Sequence, residues 1–431
     1  MKLICGNFVF FNGFDILFKN LNYNKLDKKI LNFCHNLSQI ESQKLAFKKQ
    51  LFPEVSNQWL VNQFLALQGG RDKLPEFFSN EQYVFPDKMA VEQATSAWVA
   101  KWKAGLIPDG LDLLIDGTAG MGVDSYYLGK RCNRLLAFES SDERAQLLRH
   151  NLMVLGLTDF NVMHADFQAN LDQLPISIPD KTMVYLDPDR RPNEKRVVSW
   201  LDSKPDLRVV YDFCRKKQIS LMVKFSPMDN PMEIPAQLPG LSKIWIVSLH
   251  QEVKEVLVQW NFSKPVLEPA YSVVEIQRSG IFNETKVPLL NQGFSSLALP
   301  EKGSVLYDPW PVLRKNFMAQ KWMLNRNMGL LSPEAQFFTH KDQIEDFPCR
   351  AFQILDVVEN LTSFSKSRKN KSLHVICRNF PVSADDIKSK NKWVEGGDQY
   401  LFCYQNPDKK STYILTQRLE NRYSETFWQK I

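Results

Sequence analysis

Short apolar runs that end at charged residues fill the middle of the sequence and constrain its fold more than any other feature. Five of them occur in succession: Leu113–Ile115 before Asp116, Leu135–Phe138 before Glu139, Val162–Met163 before Asp166, Met183–Leu186 before Asp187, and Ile219–Val223 before Lys224. Stretches long enough for helices separate them, which is typical of a parallel sheet with crossover helices. The carboxyl ends of such strands meet at one edge, so the sequence predicts a single polar crevice there.

The segments on either side of these runs have a different pattern. Ile244–Val247 and Val253–Trp260 are separated by only five residues, too few for a crossover helix, so this pair must be antiparallel. From Lys25 to about Lys103, apolar residues recur at intervals of three and four. That spacing predicts a helical N-terminal region.

Composition excludes several classes of protein. A length of 431 residues predicts more than one domain, and 44% hydrophobic with 24% charged residues excludes a wholly disordered or fibrous chain. The seven cysteines are scattered and form no close pair of the kind that zinc or redox sites use. We therefore expect buried thiols, no metal, and a soluble cytoplasmic protein, because neither a signal-peptide layout nor a membrane-spanning apolar run is found.

A glycine-containing loop follows the first predicted strand. It contains Gly117, Thr118, Gly120, Gly122 and Asp124, and glycines there let a backbone approach a ligand closely. A dinucleotide fingerprint needs a third glycine where Ser125 stands, although a nicotinamide cofactor remains an open alternative. Asp116, at the mouth of the loop, suits a ligand with an ammonium group and no pyrophosphate.

Two further acids complete this pattern. Glu139 ends the second strand, where a carboxylate can accept hydrogen bonds from ribose hydroxyls. Asp166 ends the third strand and could take an adenine amino group while the ring of Phe167 covers the purine. Each acid could also be a solvated strand end or a helix cap, but together with the loop they fit an adenosyl amino acid.

At this point the sequence resembles a known family. Leu113–Leu128, Glu139 and Ala165–Phe167 resemble the S-adenosylmethionine site of class I methyltransferases. Further segments are similar to a bacterial family of methyltransferase-like proteins with a C-terminal THUMP-like domain, related to the trimethylguanosine synthase group: Gln93–Ser96, Asp187–Arg191, Lys224–Met228, Arg378–Pro381 and Gly396–Gly397.

The resemblance implies a fold and a division of the chain. The expected fold class is α/β, a Rossmann-like sheet of seven strands with the last antiparallel, preceded by helices and followed by an α+β part. The expected divisions are a helical region at 1–104, the methyltransferase domain at 105–264, a small ferredoxin-like α+β domain at 265–345 and the THUMP-like domain at 346–431.

The resemblance also assigns roles to individual residues. S-adenosylmethionine is the implied cofactor, and the residues expected to bind it are Asp116, Gly117, Thr118, Gly120, Gly122, Asp124, Glu139, Asp166, Phe167, Gln93, Thr95 and Ser96. Thr95 or Ser96 could instead cap the helix that runs to about Lys103.

The fourth strand is followed by Asp187-Pro188-Asp189-Arg190-Arg191, where relatives that methylate an exocyclic amine have a second proline and an aromatic residue. Asp187 is expected to orient the acceptor or take its proton, with Asp189 as a second candidate. Pro188, Arg190, Arg191, Lys224 and Ser226 are expected to contact the acceptor. Asp189 could instead pair with one of the arginines, and Ser226 could simply form a turn before Pro227.

A basic run in the last segment indicates the acceptor. Lys366, Arg368, Lys369, Lys371 and Arg378 lie in a stretch without any acid between Glu359 and Asp385, which is consistent with contacts to phosphate. With the THUMP-like resemblance, this predicts an S-adenosylmethionine-dependent methyltransferase acting on a tRNA or rRNA base. An inactive RNA-binding protein with the same fold, or a methyltransferase for a small molecule or protein, remain the alternatives; the oligomeric state is not predicted.

Overall fold

The computed structural model describes residues 28–45, 48–190, 203–231, 233–277, 279–280, 282–287, 297–315, 319–320, 323, 326–345 and 348–420, with two short paired strands at Ile4–Cys5 and Phe8–Val9. The predicted site residue Arg191 lies outside this part of the chain, and the side chain of Arg190 is likewise not described. Residue contacts divide the chain into two compact units, one of 1–250, 254–270 and 276–283, the other of 251–253, 271–275 and 284–431.

Between residues 28 and 104 the described elements are helices, as predicted. They are α1 (Lys28–Asn36), α2 (Gln39–Leu45), α3 (Asn57–Lys73), α4 (Pro75–Phe78), α5 (Lys88–Gln93) and α6 (Ala97–Ala104). Polar residues fix where three of them begin. Ser56, Asp87 and Ser96 accept hydrogen bonds from the first-turn amides of α3, α5 and α6, which satisfies donors that a helix start leaves unpaired.

A nine-stranded sheet forms the centre of the fold. Its strands are β1 (Leu111–Asp116), β2 (Cys132–Glu139), β3 (Phe160–His164), β4 (Thr182–Leu186), β5 (Ser220–Phe225), β6 (Lys243–Leu249), β7 (Glu252–Asn261), β8 (Ala270–Ile276) and β9 (Phe282–Val287). The order across the sheet is β9-β8-β6-β7-β5-β4-β1-β2-β3. The first five strands pair in parallel, and α7 (Val123–Gly129), α8 (Asp142–Val154) and α9 (Leu207–Lys217) lie between successive strands of this set.

The antiparallel pair lies where the sequence predicted it. β7 runs antiparallel to β5, with Val258 opposite Val223, and a two-residue turn joins β6 to β7. Both turn residues, His250 and Gln251, have positive φ, 53° and 62°, as the favoured hairpin turn requires. The predicted Rossmann-like class I methyltransferase fold is therefore confirmed, although β8 and β9 extend the sheet to nine strands where seven were expected.

The second unit contains a mixed seven-stranded sheet, which agrees with the predicted α+β C-terminal part. Its strands are β10 (Val305–Pro309), β11 (Gly329–Ser332), β12 (Phe337–His340), β13 (Cys349–Val358), β14 (His374–Cys377), β15 (Gln399–Gln405) and β16 (Ser411–Leu419), in the order β11-β12-β10-β13-β16-β15-β14. The predicted division at residue 346 falls between β12 and β13, which belong to this one sheet. Helix α10 (Ile234–Gln237) belongs to the first unit, whereas α11 (Pro311–Arg314), α12 (Leu361–Ser367) and α13 (Ala384–Asn391) belong to the second.

The core of this sheet draws on strands from both sides of residue 346. Leu306 and Phe337 pack in one buried cluster with Phe352, Phe402 and Ile414. The ring centroids of Phe337 and Phe402 are 5.2 Å apart in an edge-on contact. Within the described residues, no helix has both the length and the apolar character needed to cross a membrane.

Candidate functional site

The loop between β1 and α7 is a tight turn. Gly120 and Gly122 have positive φ, 52° and 85°, a conformation that glycine adopts without strain. A Cβ at Gly122 would lie 2.2 Å from Leu148 Cδ1, and one at Gly117 would lie 2.6 Å from Phe167 Cδ1. The loop therefore lies against α8 on one side and against the segment after β3 on the other, with no room for larger residues at these two positions.

Asp116 lies beneath this loop and is 1% exposed. Its Oδ1 accepts a hydrogen bond from the Thr118 amide at 3.0 Å, and its Oδ2 accepts one from Ser125 Oγ at 2.6 Å. Burial raises the pKa of Asp116 from 3.8 to about 7, against the opposing effect of the two hydrogen bonds. The carboxyl thus ties both ends of the loop together, and its contact with a cofactor ammonium stays a prediction.

Glu139 lies at the carboxyl end of β2, beside the loop. Its Oε1 accepts hydrogen bonds from the Ser141 amide at 2.8 Å and from Ser140 Oγ at 3.4 Å. Its Oε2 accepts none from the residues that the structure describes. One carboxylate oxygen therefore holds the turn, which leaves the other for a ligand.

Asp166 and Phe167 differ in exposure. Asp166 is exposed and accepts a hydrogen bond from the Ala169 amide at 3.0 Å, in the first turn of the 3₁₀ helix Gln168–Gln173. Phe167 is 3% exposed, and its ring packs edge-on against Phe138 with centroids 5.2 Å apart. Phe167 thus supports the loop from within the core, whereas Asp166 lies at the surface.

Asp124 points into the protein rather than toward the loop mouth. It accepts hydrogen bonds from Thr95 Oγ1 at 2.7 Å, Lys103 Nζ at 3.0 Å and Tyr185 Oη at 2.9 Å. Lys103 is fully buried and also contacts a carboxylate of β7, with Nζ 3.1 Å from Glu255 Oε1. We call Thr95, Lys103, Asp124, Tyr185 and Glu255 the buried lysine network.

The two carboxylates of the buried lysine network have pKa values shifted in opposite directions. Burial raises the pKa of Glu255. Burial also acts to raise the pKa of Asp124, but the charges of Lys103 and Lys224 and the hydrogen bonds from Thr95 and Lys103 together outweigh it, and the net shift is downward. Lys103 and Asp124 form a salt bridge that joins α6 to α7 below the loop.

Sequence reasoning missed Lys103, Tyr185 and Glu255. A signal for the lysine exists, because Lys103 follows Val99 and Ala100 by four and three residues, and both are buried. That spacing places Lys103 on the apolar face of α6.

The segment before the sheet has two roles. Ser96 is the N-cap of α6 and accepts a hydrogen bond from the Val99 amide at 3.4 Å, whereas Thr95 bonds to Asp124. Gln93 is the last residue of α5 and is exposed at the cleft described next. The capping alternative therefore describes Ser96 and not Thr95.

A cleft of about 440 Å³ opens at the carboxyl ends of β4 and β5. Its lining includes Gln93, Asp187, Pro188, Asp189, Ser203, Lys224, Ser226 and Lys254. The Asp187 amide donates a 2.6 Å hydrogen bond to Thr118 Oγ1, so the glycine loop directly contacts the residue that follows β4. We call this space the acceptor cleft, because several residues that the sequence predicts to contact the methyl acceptor line it.

Asp187 and Lys224 form an ion pair in the acceptor cleft, with Lys224 Nζ 2.5 Å from Asp187 Oδ2. Their side chains are 39% and 15% exposed, respectively. Burial opposes the charge on Lys224, but Asp187 and more distant carboxylates outweigh it and raise the pKa of Lys224. The ammonium is therefore permanently charged at neutral pH.

Asp189 and Ser226 have simpler surroundings. Asp189 is exposed at the cleft margin. Ser226 Oγ accepts a hydrogen bond from the Met228 amide at 3.1 Å, and its own amide donates to Asp229 Oδ2 at 3.0 Å. These bonds form the turn before and after Pro227, as the simpler interpretation of Ser226 predicted.

The predicted basic run of the second unit divides into two half-buried arginines and three exposed lysines. Arg378 contacts the buried Asp308, with Nη1 2.7 Å from Oδ1, and Arg350 and Arg314 surround the same carboxylate. Arg368 donates to Gln399 Oε1 at 2.9 Å and to the Ser372 carbonyl. The two arginines are thus engaged within the unit.

The lysines of the run remain at the surface. Lys366, Lys369 and Lys371 are exposed, at and just beyond the end of α12. We call these three residues the lysine patch. In the part of the chain that the structure describes, no three His, Cys, Asp or Glu side chains lie together in a way that could hold a metal ion.

Comparison with known proteins gives two findings, a family match for one segment and a structural match for nearly the whole chain. Residues 349–418 match a family model described as THUMP domain-like. A crystal structure from Porphyromonas gingivalis W83, described as a "putative methyltransferase", matches with a TM-score of 0.77 and 22% identity, covering 94% of this chain and 100% of that one. At this identity the likeness shows a shared fold over nearly the whole chain. No curated protein gives a significant match.

Smaller solved structures match part of the chain. An rRNA methylase from Streptococcus thermophilus is 11% identical, with a TM-score of 0.28, and the match covers 37% of this chain and 92% of that one. NSun6 from Pyrococcus horikoshii with SFG is 17% identical, with a TM-score of 0.29, and covers 39% and 52%. TM-scores this low carry no argument about function.

Proposed function

We propose that this protein is an S-adenosylmethionine-dependent methyltransferase whose acceptor is RNA. The observation that carries the proposal is the combination at one sheet edge of the glycine loop, the half-engaged carboxylate of Glu139 and the acceptor cleft. In open α/β sheets, ligands bind at the carboxyl ends of the strands where the strand order reverses. Here that point lies between β1 and β4, and the loop follows β1.

This arrangement supports the roles proposed for the cofactor residues. Gly120 and Gly122 would let the backbone approach the methionine part, Glu139 Oε2 would accept a hydrogen bond from a ribose hydroxyl, and Asp166 would accept one from the adenine amino group. S-adenosylmethionine supplies an activated methyl group when bound. The chain itself has to align the acceptor with that methyl group and manage the acceptor's proton.

RNA is the acceptor class that the second unit supports. Its match to a THUMP domain-like model and the exposed lysine patch both favour contact with a polyanion. The acceptor cleft adds Lys224 and Lys254 on the first unit.

Calorimetry tests cofactor use. We expect S-adenosylmethionine to bind the full chain at micromolar concentrations, and Glu139→Ala to weaken binding about tenfold or more because a hydrogen-bond acceptor for the ribose is lost. Glu143→Ala is the matched control, since Glu143 is exposed in the first turn of α8. Absence of binding to folded protein would refute the proposal.

Methyl transfer tests the acceptor. Labelled methyl groups should pass from S-adenosylmethionine to total RNA of cells that lack the gene, and Asp187→Ala should abolish transfer while cofactor binding persists. Cofactor binding without any transfer by the wild type to RNA, protein or small molecules would favour an inactive RNA-binding protein, which the altered Asp187-Pro188-Asp189-Arg190 segment makes the second candidate. Label in protein or small molecules instead would assign a different acceptor.

A further inference from the structure

The ion pair in the acceptor cleft bears on which atom receives the methyl group. Asp187 is the first residue after β4 and Lys224 lies in β5, so adjacent strands place the two groups side by side. The pair faces open space, because both residues line the cleft. An acceptor that reaches Asp187 must therefore also approach the Lys224 ammonium.

Other ammonium groups surround this pair. Lys254 lines the same cleft. Lys73 donates hydrogen bonds to the carbonyls of Val91 and Glu92 at 2.9 and 2.6 Å and lies close enough to Lys224 and Lys254 for their charges to act on it. Burial, together with the smaller effect of the nearby Lys224 and Lys254 charges, lowers the pKa of Lys73 from 10.5 to about 8. An acceptor with phosphates beside the reacting atom suits these surroundings.

The charge that develops on the acceptor depends on its chemistry. An amine nitrogen that attacks a methyl group becomes more positive, so an ammonium within hydrogen-bond distance would oppose the reaction. A hydroxyl oxygen becomes more negative as its proton leaves, so the same ammonium would stabilise the transition state. In addition, position 190 holds an arginine where relatives that methylate an exocyclic amine have an aromatic residue, and Phe225, the aromatic residue among those that line the cleft, is only 3% exposed.

We infer that the acceptor atom is a hydroxyl oxygen, and that in RNA it is a ribose 2′-hydroxyl, the free hydroxyl that each internal nucleotide carries. This inference rests on the proposed function. It replaces the base atom predicted from the sequence with a sugar atom.

Each bond and proton in the proposed step is accounted for. The hydroxyl oxygen forms a bond to the methyl carbon, the bond from that carbon to the sulfonium sulfur breaks, and its electron pair stays on sulfur. The hydroxyl proton passes to the Asp187 carboxylate and then to water. Lys224 stays protonated and contacts the oxygen throughout.

Alkaline hydrolysis of the labelled RNA tests the inference. Alkali cleaves RNA through the 2′-hydroxyl, so a 2′-O-methyl group blocks cleavage and leaves the label in dinucleotides, whereas a methylated base leaves it in mononucleotides. We expect the label in alkali-stable dinucleotides. Label confined to mononucleotides would overturn the inference while leaving the proposed function intact, and absence of label in RNA would refute the proposed function itself.

A variant tests the role of Lys224. Lys224→Gln should lower kcat roughly 100-fold or more, the scale expected when one group aimed at a developing charge is lost, with the Kd for S-adenosylmethionine unchanged. That unchanged Kd, measured by calorimetry, also shows that the variant is folded. Lys101→Gln, which removes an ammonium paired with Glu76 on the outside of α6, is the control. An unaltered kcat in Lys224→Gln would contradict the assignment.

Discussion

Asp116 is a carboxyl whose surroundings favour a proton. It is buried, and its pKa is raised to about 7 by that burial. Its partner Ser125 occupies the position where a dinucleotide fingerprint would have glycine, so the residue that departs from that pattern is the one that donates to Asp116. Serine at this position therefore stabilises the loop through its hydrogen bond to Asp116.

The titration of Asp116 predicts a pH dependence of stability. The folded protein holds this proton up to about pH 7, whereas the unfolded chain releases it near its ordinary value of 3.8. The stabilisation that this group provides is therefore fully present below pH 3.8 and is lost as the pH rises through 7. We expect the free energy of unfolding to fall by roughly 1 kcal/mol between pH 6 and 8. Urea unfolding of cofactor-free protein at both pH values measures it.

Asp116→Asn should flatten this pH dependence, because an amide keeps the shape and does not titrate. Asp166→Asn, at an exposed carboxyl of the same sheet edge, should leave the wild-type profile. Equal profiles in all three proteins would show that Asp116 does not titrate in this range.

Gly122 offers a second prediction at the level of a residue. Gly122→Ala adds a Cβ both at positive φ and against Leu148, whereas Gly156→Ala adds one at a similar φ of 78° with nothing within 4 Å. We expect losses in the free energy of unfolding of roughly 1 kcal/mol at Gly156 and roughly 2 to 4 at Gly122. Similar losses at both positions would mean that the contact with Leu148 relaxes freely.

At the level of elements, α6 presents two lysines in opposite environments. Lys101 is 39% exposed beside Glu76, and Lys103 is fully buried beside Asp124 and Glu255. A buried charge that loses its partner is costly, whereas an exposed pair contributes little.

We expect Lys103→Met to lower the free energy of unfolding by about 3 kcal/mol or more, and Lys101→Met by less than about 1 kcal/mol. Urea denaturation with fitted midpoints and slopes measures both. Indistinguishable midpoints would show that the buried lysine network does not stabilise the packing of α6 on α7.

The sequence predicted elements better than it predicted the direction of side chains. The strands were predictable because apolar runs ending at acids leave few alternatives, and the antiparallel pair followed from a gap too short for a helix. Asp124 and Thr95 were expected at the cofactor, yet they bond to each other in the interior. That pairing joins residues 29 positions apart and depends on the packing of α6 on α7, which no local pattern records.

At the level of the whole molecule, charge is distributed unevenly. Acids follow β1 to β4 of the first unit, whereas the lysine patch belongs to the second. Arg378 and Arg368 do not contribute to that patch in the way the sequence predicted, because Asp308 and Gln399 engage them. The exposed lysines are therefore the groups through which the second unit would meet RNA.

Replacing the lysine patch tests this role. Lys366, Lys369 and Lys371 changed together to Gln should weaken RNA binding and reduce the slope of log Kd against log salt by about 2, because three phosphate contacts are removed. The control is Lys409→Gln with Lys410→Gln, two exposed lysines in the turn after β15. They follow the last residue of that strand, whereas Arg368, next to the patch in sequence, bonds to Gln399 at its first residue. Filter binding at several salt concentrations measures the slopes, and equal slopes would exclude the patch from the interface.

The sheet of the second unit has a consequence for how such a module could be inherited. The THUMP domain-like match begins at residue 349, yet β13 pairs on one side with β10, five residues against five, and Phe337 shares its core with Phe402. A gene fusion that carried only the matched segment would carry a sheet with an open edge and part of its core. The piece that evolution or an engineer could move between proteins therefore begins before β10, some forty residues upstream of the first residue that sequence comparison detects.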